Sequence, residues 1–117
     1  RKTISSSDGL LRIGIEIENL SGRALSLTYG TEWNVLAFPH EFGLHGSSGA
    51  ALGGGALLFE PEAAAALWSF PLRTLSQSEG GFDIIHQGYC LCPVWMVVLP
   101  ANGAKRLSIV LKERHGR

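Results

Sequence analysis

The sequence predicts an all-β protein, an antiparallel β-sandwich, on three observations. Apolar and polar residues alternate through most segments, a period of two that is typical of strands with one buried face and one wet face. Turn-forming residues separate these segments at short intervals. No segment has a convincing helical pattern, and there is no internal repeat. The length of 117 residues indicates a single domain over residues 1–117 with one buried core.

The N-terminal part of the chain predicts a β-hairpin. Two alternating segments, LRIGIEIE and ALSLTYG, are separated by the turn sequence NLSGR, in which Asn19, Ser21 and Gly22 favour a reversal of the chain. We therefore expect these two segments to pair with each other as antiparallel strands. A third β-rich segment, TEWNVLAF, ends at Pro39.

The middle of the chain is rich in small residues. Residues 43–55, GLHGSSGAALGGG, predict a long surface loop, because glycine opposes both a helix and a central strand. A ligand-binding loop is the alternative. The following ALLFEPEAAAALWSFPL combines an Ala-rich run of helical propensity with an alternating segment. We expect a turn around Glu60 to Glu62 that leads into a strand.

The C-terminal part predicts three further strands, in the segments FDII, YCLCPVWMVVL and RLSIVLKE, with PANGAK as the turn between the last two. In the last strand, Leu107, Ile109 and Leu111 should face the core. Cys90 and Cys92 are expected to point to opposite faces of their strand and to be free thiols. Free thiols suit a reducing compartment, which predicts a cytoplasmic location.

Composition argues against several classes of partner. Lys plus Arg equals Asp plus Glu, and basic residues cluster only at the two ends, whereas nucleic-acid binding favours a basic face with interleaved aromatic residues. No segment has the ~20 apolar residues of a membrane span. Neither a Cys/His cluster at metal spacing nor a phosphate-binding loop is present. We expect no nucleic acid, membrane, metal or cofactor.

A polar tract lies between segments that predict core strands. It covers residues 70–88, FPLRTLSQSEGGFDIIHQG, and three roles are open for it: a solvated loop, hydrogen bonding to strand ends, or a site for a ligand rich in hydroxyl groups. Sugars are bound by amides, carboxylates and Arg together with a stacked aromatic ring. Trp33, Trp68 and Trp95 could supply that ring, although a buried Trp is equally typical of a core.

Catalysis would need paired groups. A retaining glycosidase uses two carboxyl groups ~5–5.5 Å apart. Glu16 and Glu18 share the outer face of one predicted strand, where solvation is the simpler role, and Glu32 could meet Glu79 only between strands. A His acid and a Glu base could also act as a pair, and Glu79 and His86 are the candidates in the polar tract.

The polar tract and the strands after it resemble the C-terminal β-sandwich module of the α-amylase and 4-α-glucanotransferase family, glycoside hydrolase family 57. The residues that match its Trp-x-x-Pro-x-x-Thr-x-Ser-x-Ser-Glu-x-Gly-Phe pattern and the following Gln-Gly and Trp are Trp68, Pro71, Thr74, Ser76, Ser78, Glu79, Gly81, Phe82, Gln87, Gly88 and Trp95. Gly30, Glu32 and Asn34 match a Gly-x-Glu-x-Asn strand, so the resemblance spans nearly the whole chain. His86 departs from the family, which commonly has Tyr there.

The resemblance implies a short version of the galactose mutarotase-like fold and no catalysis by this chain. In the family, the catalytic residues belong to a separate N-terminal (β/α) barrel. Since the chain begins at Arg1 rather than Met and ends in ERHGR, we expect a fragment of a larger enzyme. It would be a non-catalytic C-terminal accessory domain of an α-glucan-processing enzyme, packing on the catalytic barrel and contacting α-glucan or maltooligosaccharide.

Specific residues follow from this hypothesis. The predicted sugar-binding residues are Trp33, Gln77, Glu79, His86, Gln87 and Trp95. The predicted structural polar anchors, which would tie the tract to strand ends or to the barrel, are Glu32, Asn34, Arg73, Ser76 and Ser78. Two alternatives stay open: a stand-alone carbohydrate-binding module in which Trp33 or Trp95 stacks on glucose, and a mutarotase-like enzyme that uses Glu79 and His86.

Overall fold

The computed structural model describes residues 1–46 and 48–114, and most of these lie in β-strands. Ser47, in the predicted loop, and residues 115–117, at the predicted C-terminal boundary, lie outside the described residues. The strands are β1 (Lys2–Ser7), β2 (Leu10–Glu18), β3 (Leu25–Gly30), β4 (Trp33–Val35), β5 (Gly43–His45), β6 (Gly49–Leu52), β7 (Leu57–Glu62), β8 (Ala66–Ser78), β9 (Gly81–Leu99) and β10 (Ala104–Glu113). Two short 3₁₀ turns cover Pro39–Glu41 and Gly53–Gly55. None of the described helices is long and apolar enough to cross a membrane.

The strands form two antiparallel sheets. The first sheet has the order β1-β2-β10-β7-β6-β5. In the second sheet, β3, β4 and β8 each pair with β9. Strands β3 and β4 pair with β9 in one continuous register, so both lie along the same edge of β9. Strand β8 pairs with some of the same β9 residues and therefore lies along the other edge. The prediction of an all-β antiparallel sandwich is confirmed.

The core lies between the two sheets. It is built from alternate residues of the central strands, as the period of two requires. Its fully buried members include Phe59, Leu91, Val97, Leu99 and Ile109. Leu107 is buried with them and Leu111 packs against the same cluster, so the predicted inner face of β10 is confirmed. Burial of each such side chain contributes ~1.5–3 kcal/mol of transfer free energy.

The polar tract belongs to a long hairpin. Strands β8 and β9 continue beyond the sandwich as a two-stranded ribbon, residues 73–86, which we call the arm. Its side chains are exposed or half-buried throughout. The arm explains why the radius of gyration is 17.5 Å and the longest dimension 61 Å, whereas a compact domain of 100 residues has a radius of about 13 Å. The tract is therefore a projecting element of regular structure.

The predicted N-terminal hairpin is wrong. Strand β2 pairs with β1 and β10, whereas β3 pairs with β9 in the other sheet. The turn sequence instead crosses between the sheets. Asn19 is buried there, and its side-chain amide donates to the carbonyl oxygens of Arg23, Leu99 and Pro100 at the end of β9. Local alternation predicted the strands correctly, but their partners come from distant parts of the chain.

Two expectations about the middle of the chain are also wrong. The predicted loop at 43–55 contains β5 and β6, and Ala50 is completely buried. Small residues permit this pairing, because a Cβ atom at Gly49 would come within 2.7 Å of the His45 carbonyl oxygen. The predicted turn at Glu60 to Glu62 is part of β7, and the chain leaves that strand at Ala63, which has a φ of 57°.

The two cysteines are free, as predicted. The expectation that they point to opposite faces is wrong, since residues two positions apart in a strand share a face. Both lie on the side of the second sheet that faces away from the core, opposite Phe70 and Trp68 on β8. Burial, followed by the nearby Glu32 carboxylate, raises the pKa of the Cys90 thiol.

Candidate functional site

The arm leaves the sandwich at a β-bulge. Leu72 pairs with Gly88 and Arg73 pairs with His86, so Gln87 is an extra residue on β9. Gly88 has a φ of 154°, and its backbone lies so close to β4 that a Cβ atom would overlap the Val35 carbonyl oxygen. Glycine at this position allows the arm and β4 to meet, which is a structural reason for the Gln-Gly pair that the sequence singled out.

Aromatic side chains fix the root of the arm. His86 Nε2 donates to the Ala37 carbonyl oxygen at 2.7 Å, which places the proton of the neutral ring on Nε2. The rings of His86 and Tyr89 meet edge to face at a centroid distance of 5.1 Å, and Tyr89 stacks on Phe42 at 4.0 Å. These contacts attach the arm to residues 37–42. The predicted sugar contact His86 is thus already engaged within the chain.

The two faces of the arm differ in polarity. Directly opposed residues of an antiparallel pair share a face. The pairs Leu75 with Ile84 and Gln77 with Phe82 lie on one side of the arm. Where the hairpin enters the sandwich, this same side faces the core, and we call it the core-side face. Leu75, Phe82 and Ile84 are 66%, 66% and 71% exposed, since the first sheet does not extend over them. The opposite face carries Thr74, Ser76, Asp83 and Ile85.

A second exposed apolar surface lies on the sandwich itself. The side of the second sheet that faces away from the core, here called the outer face, carries four exposed apolar side chains, Trp68, Phe70, Met96 and Val98. Trp68 is 61% exposed and Met96 77%. Cys90 and Val94 lie on the same face of β9 and are buried, at 1% and 7% exposure.

The outer surface of the first sheet is polar instead. Arg12 pairs with Glu62 and donates to Ser108 Oγ at 2.8 Å, and Lys112 Nζ lies 2.8 Å from Glu60 Oε1. Hydrogen bonding from Ser108 and the Arg12 guanidinium lower the pKa of Glu62. On the same surface, the predicted solvated residue Glu16 lies 3.9 Å from Arg106. Ion pairs suit a face in water, and the two outer surfaces of the sandwich therefore differ in polarity.

The predicted tryptophans are poor candidates for sugar stacking. Trp95 is only 2% exposed, and its indole nitrogen donates to the Glu62 carbonyl oxygen at 2.9 Å. Its burial removes it from the candidate set. Trp33 is half-buried, and its indole nitrogen donates to Thr31 Oγ1 at 2.8 Å. The exposed Trp is Trp68, and the sequence around it does not indicate exposure, because both faces of its strand carry apolar residues, Leu67 on one and Trp68 and Phe70 on the other.

The predicted polar sugar contacts lie at two levels of the arm. Gln77 and Glu79 are exposed near its turn. Gln87 is at the root, and its amide donates to Thr74 Oγ1 at 3.1 Å. The structure therefore brings Gln77 and Glu79 close together but separates them from His86 and Gln87.

The predicted polar anchors differ in their contacts. Ser78 Oγ donates to the Gly81 carbonyl oxygen at 3.4 Å and so stabilises the turn of the arm. Within residues 1–46 and 48–114, the side chains of Glu32, Asn34, Arg73 and Ser76 make no hydrogen bond or ion pair. Their anchoring to strand ends of this chain is not observed, and anchoring to another domain stays a prediction.

The candidate catalytic pairs are not assembled. Glu79 lies in the turn of the arm, roughly 17 Å along the strand from His86 at ~3.3 Å per residue, too far for a joint acid and base. Glu32 acts electrostatically on Cys90 in the sandwich and is farther still from Glu79. Across the described part of the chain, no group of three or more His, Cys, Asp and Glu residues could hold a metal ion.

Comparison with known proteins identifies relatives. The family model described as alpha-amylase/4-alpha-glucanotransferase, C-terminal, matches residues 50–109, about half of the chain, including all of the arm. An alpha-amylase from Pyrococcus abyssi is 37% identical over 49 residues, 42% of this chain and 7% of the enzyme. A 4-alpha-glucanotransferase from Thermococcus kodakarensis is 36% identical over 59 residues, 50% of this chain and 8% of the enzyme.

A solved structure shares the fold. The crystal structure of 4-alpha-glucanotransferase from Thermococcus litoralis superimposes on 97% of this chain and 18% of its own, with a TM-score of 0.50 and 21% sequence identity. The aligned segments of the two curated relatives are less than a tenth of each enzyme. Most of the length of these enzymes therefore lies outside the part that this chain resembles.

Proposed function

Because the chain belongs to the family of C-terminal domains of α-amylases and 4-α-glucanotransferases, we propose that it is the non-catalytic accessory β-sandwich of an α-glucan-processing enzyme. Residues 1–117 form one domain of a larger enzyme of the glycoside hydrolase family 57 type, and this domain packs against the catalytic barrel. Its two free thiols favour a reducing compartment, which supports a cytoplasmic location.

The observation that carries this proposal is the apolar outer face of the second sheet. Single exposed apolar residues are ordinary, but a contiguous patch marks a contact with another protein or domain. Four exposed apolar side chains lie on this face as two pairs, Trp68 with Phe70 on β8 and Met96 with Val98 on β9, whereas the outer surface of the first sheet is lined by ion pairs. This asymmetry favours a domain with one face in water and the other on a neighbour.

The relatives suggest what the neighbour is. The aligned segments are small parts of the curated enzymes, and the matching family is defined as a C-terminal region. We therefore assign the catalytic domain of the parent enzyme as the neighbour that packs on the outer face. We further propose Gln77 and Glu79, which are exposed near the turn of the arm, as contacts for glucan bound to that domain.

A binding titration tests the domain contact. The catalytic domain of the parent enzyme is produced separately and titrated with this chain. We expect saturable binding that Met96→Lys weakens by about tenfold or more, since a buried charge costs at least the ~1.4 kcal/mol that a factor of ten represents. Ser5→Lys, which places the same charge on the exposed edge strand β1, is the control and should bind as the original chain does. No binding by the folded original chain would overturn the proposal.

A carbohydrate-binding module is a second candidate, favoured by one observation. Trp68 and Phe70 present exposed rings on the same face of β8, a platform on which a sugar ring could stack. Titration with maltooligosaccharides, followed by Trp fluorescence, separates the two functions. Saturable quenching that Trp68→Ala abolishes and Trp33→Phe retains would favour the module. Unchanged fluorescence up to millimolar sugar is the result expected for an accessory domain.

A further inference from the structure

The arm carries an exposed apolar face. Along β8, alternate residues from Pro71 to Gln77 lie on the side of the hairpin that holds Tyr89, whose ring packs against the core of the sandwich. On the arm, the same side continues with Leu75, Phe82 and Ile84, whose side chains are exposed. The apolar side of the hairpin thus extends beyond the body that covers it.

The paired strands of the arm contribute little stability by themselves. A two-stranded hairpin is only marginally stable in water and needs a third strand or a packed face. The arm has six opposed pairs from Arg73 with His86 to Ser78 with Gly81, and no other strand of the described residues pairs with either edge of this ribbon. A surface that covers the core-side face would supply the missing stabilisation.

The root of the arm makes it suitable as a docking element. The bulge at Gln87, the close approach of Gly88 to Val35 and the hydrogen bond from His86 to Ala37 fix the direction in which the arm leaves the sandwich. A hairpin whose orientation is set before binding loses less conformational entropy when it docks. The arm is therefore preorganised at its base.

We propose that the core-side face of the arm packs on the catalytic domain of the parent enzyme, on an apolar patch flanked by a carboxylate that pairs with Arg73. This inference rests on the proposed function and names a second surface for it, on the opposite side of the β8–β9 hairpin from Trp68 and Phe70, so that the catalytic domain contacts both sides of the hairpin. Arg73 lies on the same face as Leu75 and is exposed, and no carboxylate of residues 1–46 and 48–114 pairs with it. It can therefore meet an acidic group on a neighbour.

The size of the core-side face favours a tethered domain over a second copy of this chain. Even an aromatic side chain buries only ~150–250 Å², so three apolar side chains cover at most ~450–750 Å², less than the ~800 Å² per partner of a stable complex between separate molecules. A domain joined by a covalent linker needs far less area, because the linker makes the contact intramolecular at an effective concentration near the millimolar range. Most of the length of the related enzymes is available to supply that domain.

Hydroxyl-radical footprinting of the full-length parent enzyme and of this chain alone tests the inference. Side-chain labelling follows exposed area, so Phe82, Leu75 and Ile84 should be labelled about fivefold less in the full enzyme, as exposed residues become buried. In the full enzyme, the double variant Leu75→Ser, Ile84→Ser should restore labelling of Phe82. Ile85→Ser, on the opposite face of the arm, is the matched control and should leave Phe82 protected.

The same measurement separates the possible failures. Protection of Met96 and Trp68 without protection of Phe82 would overturn the inference about the arm and leave the proposed function intact. Protection of neither surface in the full enzyme would overturn both. Protection of Phe82 that rises with the concentration of this chain alone would assign the core-side face to a second copy, which also overturns the inference. Protection of Phe82 only on addition of maltooligosaccharide would assign it to glucan.

Discussion

The backbone of Gly88 lies against the carbonyl oxygen of Val35 so closely that no side chain can be placed between them. This contact joins β9 to β4 at the point where the arm leaves the sandwich. Since Gly88 also has a positive φ, the position excludes other residues for two separate reasons.

Gly88→Ala should destabilise the fold. The added methyl group overlaps a backbone atom that cannot move without disturbing β4, and such overpacking together with backbone strain costs ~2–4 kcal/mol. Urea denaturation measures the loss in free energy of unfolding. Gly22→Ala is the matched control, because nothing lies within 4 Å of its added Cβ atom, and it should change stability by less than ~0.5 kcal/mol. Equal stability of the two variants would contradict the role of Gly88.

Trp95→Phe should also destabilise the sandwich. The substitution leaves the Glu62 carbonyl oxygen without its indole donor and opens space in the core, which together cost ~1–3 kcal/mol. Trp68→Phe removes a Trp from the exposed outer face and should be neutral within ~0.5 kcal/mol. Denaturation of both variants checks the difference, and a larger effect at position 68 would show that the two faces are assigned the wrong way round.

Glu62 should make stability depend on pH. Its pKa in the folded state is below the ordinary value of 4.5, with Ser108 and Arg12 as the favourable causes. Its stabilising contribution is therefore complete above pH 4.5 and is lost as the pH falls through the lower, folded pKa. Because the carboxylate is half exposed, the effect is small.

The free energy of unfolding of Glu62→Gln, measured from pH 7 down to pH 3, checks this contribution. The variant should be slightly less stable than the original chain at neutral pH, and the difference should disappear at the acid end. Glu18→Gln changes an exposed carboxylate of β2 and is the control, with the same profile as the original chain. A difference for Glu62→Gln that grows as the pH falls would have the wrong sign.

Thiol reactivity should distinguish the two cysteines. Cys90 is buried and its pKa is raised by burial, so little thiolate is present to react. With Ellman's reagent at pH 8, Cys90 should react only when the protein unfolds, whereas Cys92 is half-buried and should react in the native state. The single variants Cys90→Ala and Cys92→Ala assign the two phases. Fast reaction of Cys90 in the folded protein would contradict its burial.

The local alternation of apolar and polar residues predicted the fold class but not the pairing of the strands. Leu107 and Ile109 alternate with polar residues and proved to be buried, because a strand with one wet face encodes its own inner side. The pairing of β2 with β10 instead of β3 depends on residues almost a hundred positions apart, which no local signal records. The turn residue Asn19 shows the same limit, since its partners Leu99 and Pro100 are 80 and 81 positions away.

The sequence predicted which residues belong to the candidate site better than it predicted how they are arranged. The resemblance identified the tract around Ser76 and Glu79 as a feature of its family, but not that it forms a projecting hairpin. Whether Phe82 or Ile84 is buried depends on where the opposite sheet ends, and the sequence of the hairpin does not contain that information. Trp95 was a candidate ligand contact because the sequence does not show its burial, and in the structure it is a core residue.

The most direct test of the accessory role is the oxidative footprint of Trp68 and Met96 in this chain alone and in the full-length parent enzyme. Both side chains are more than half exposed on the isolated domain. If the outer face packs on the catalytic domain, their labelling should fall by about fivefold in the full enzyme, as expected for side chains that leave the solvent. Unchanged labelling of both residues would mean that the outer face stays in water, and would contradict the proposed function.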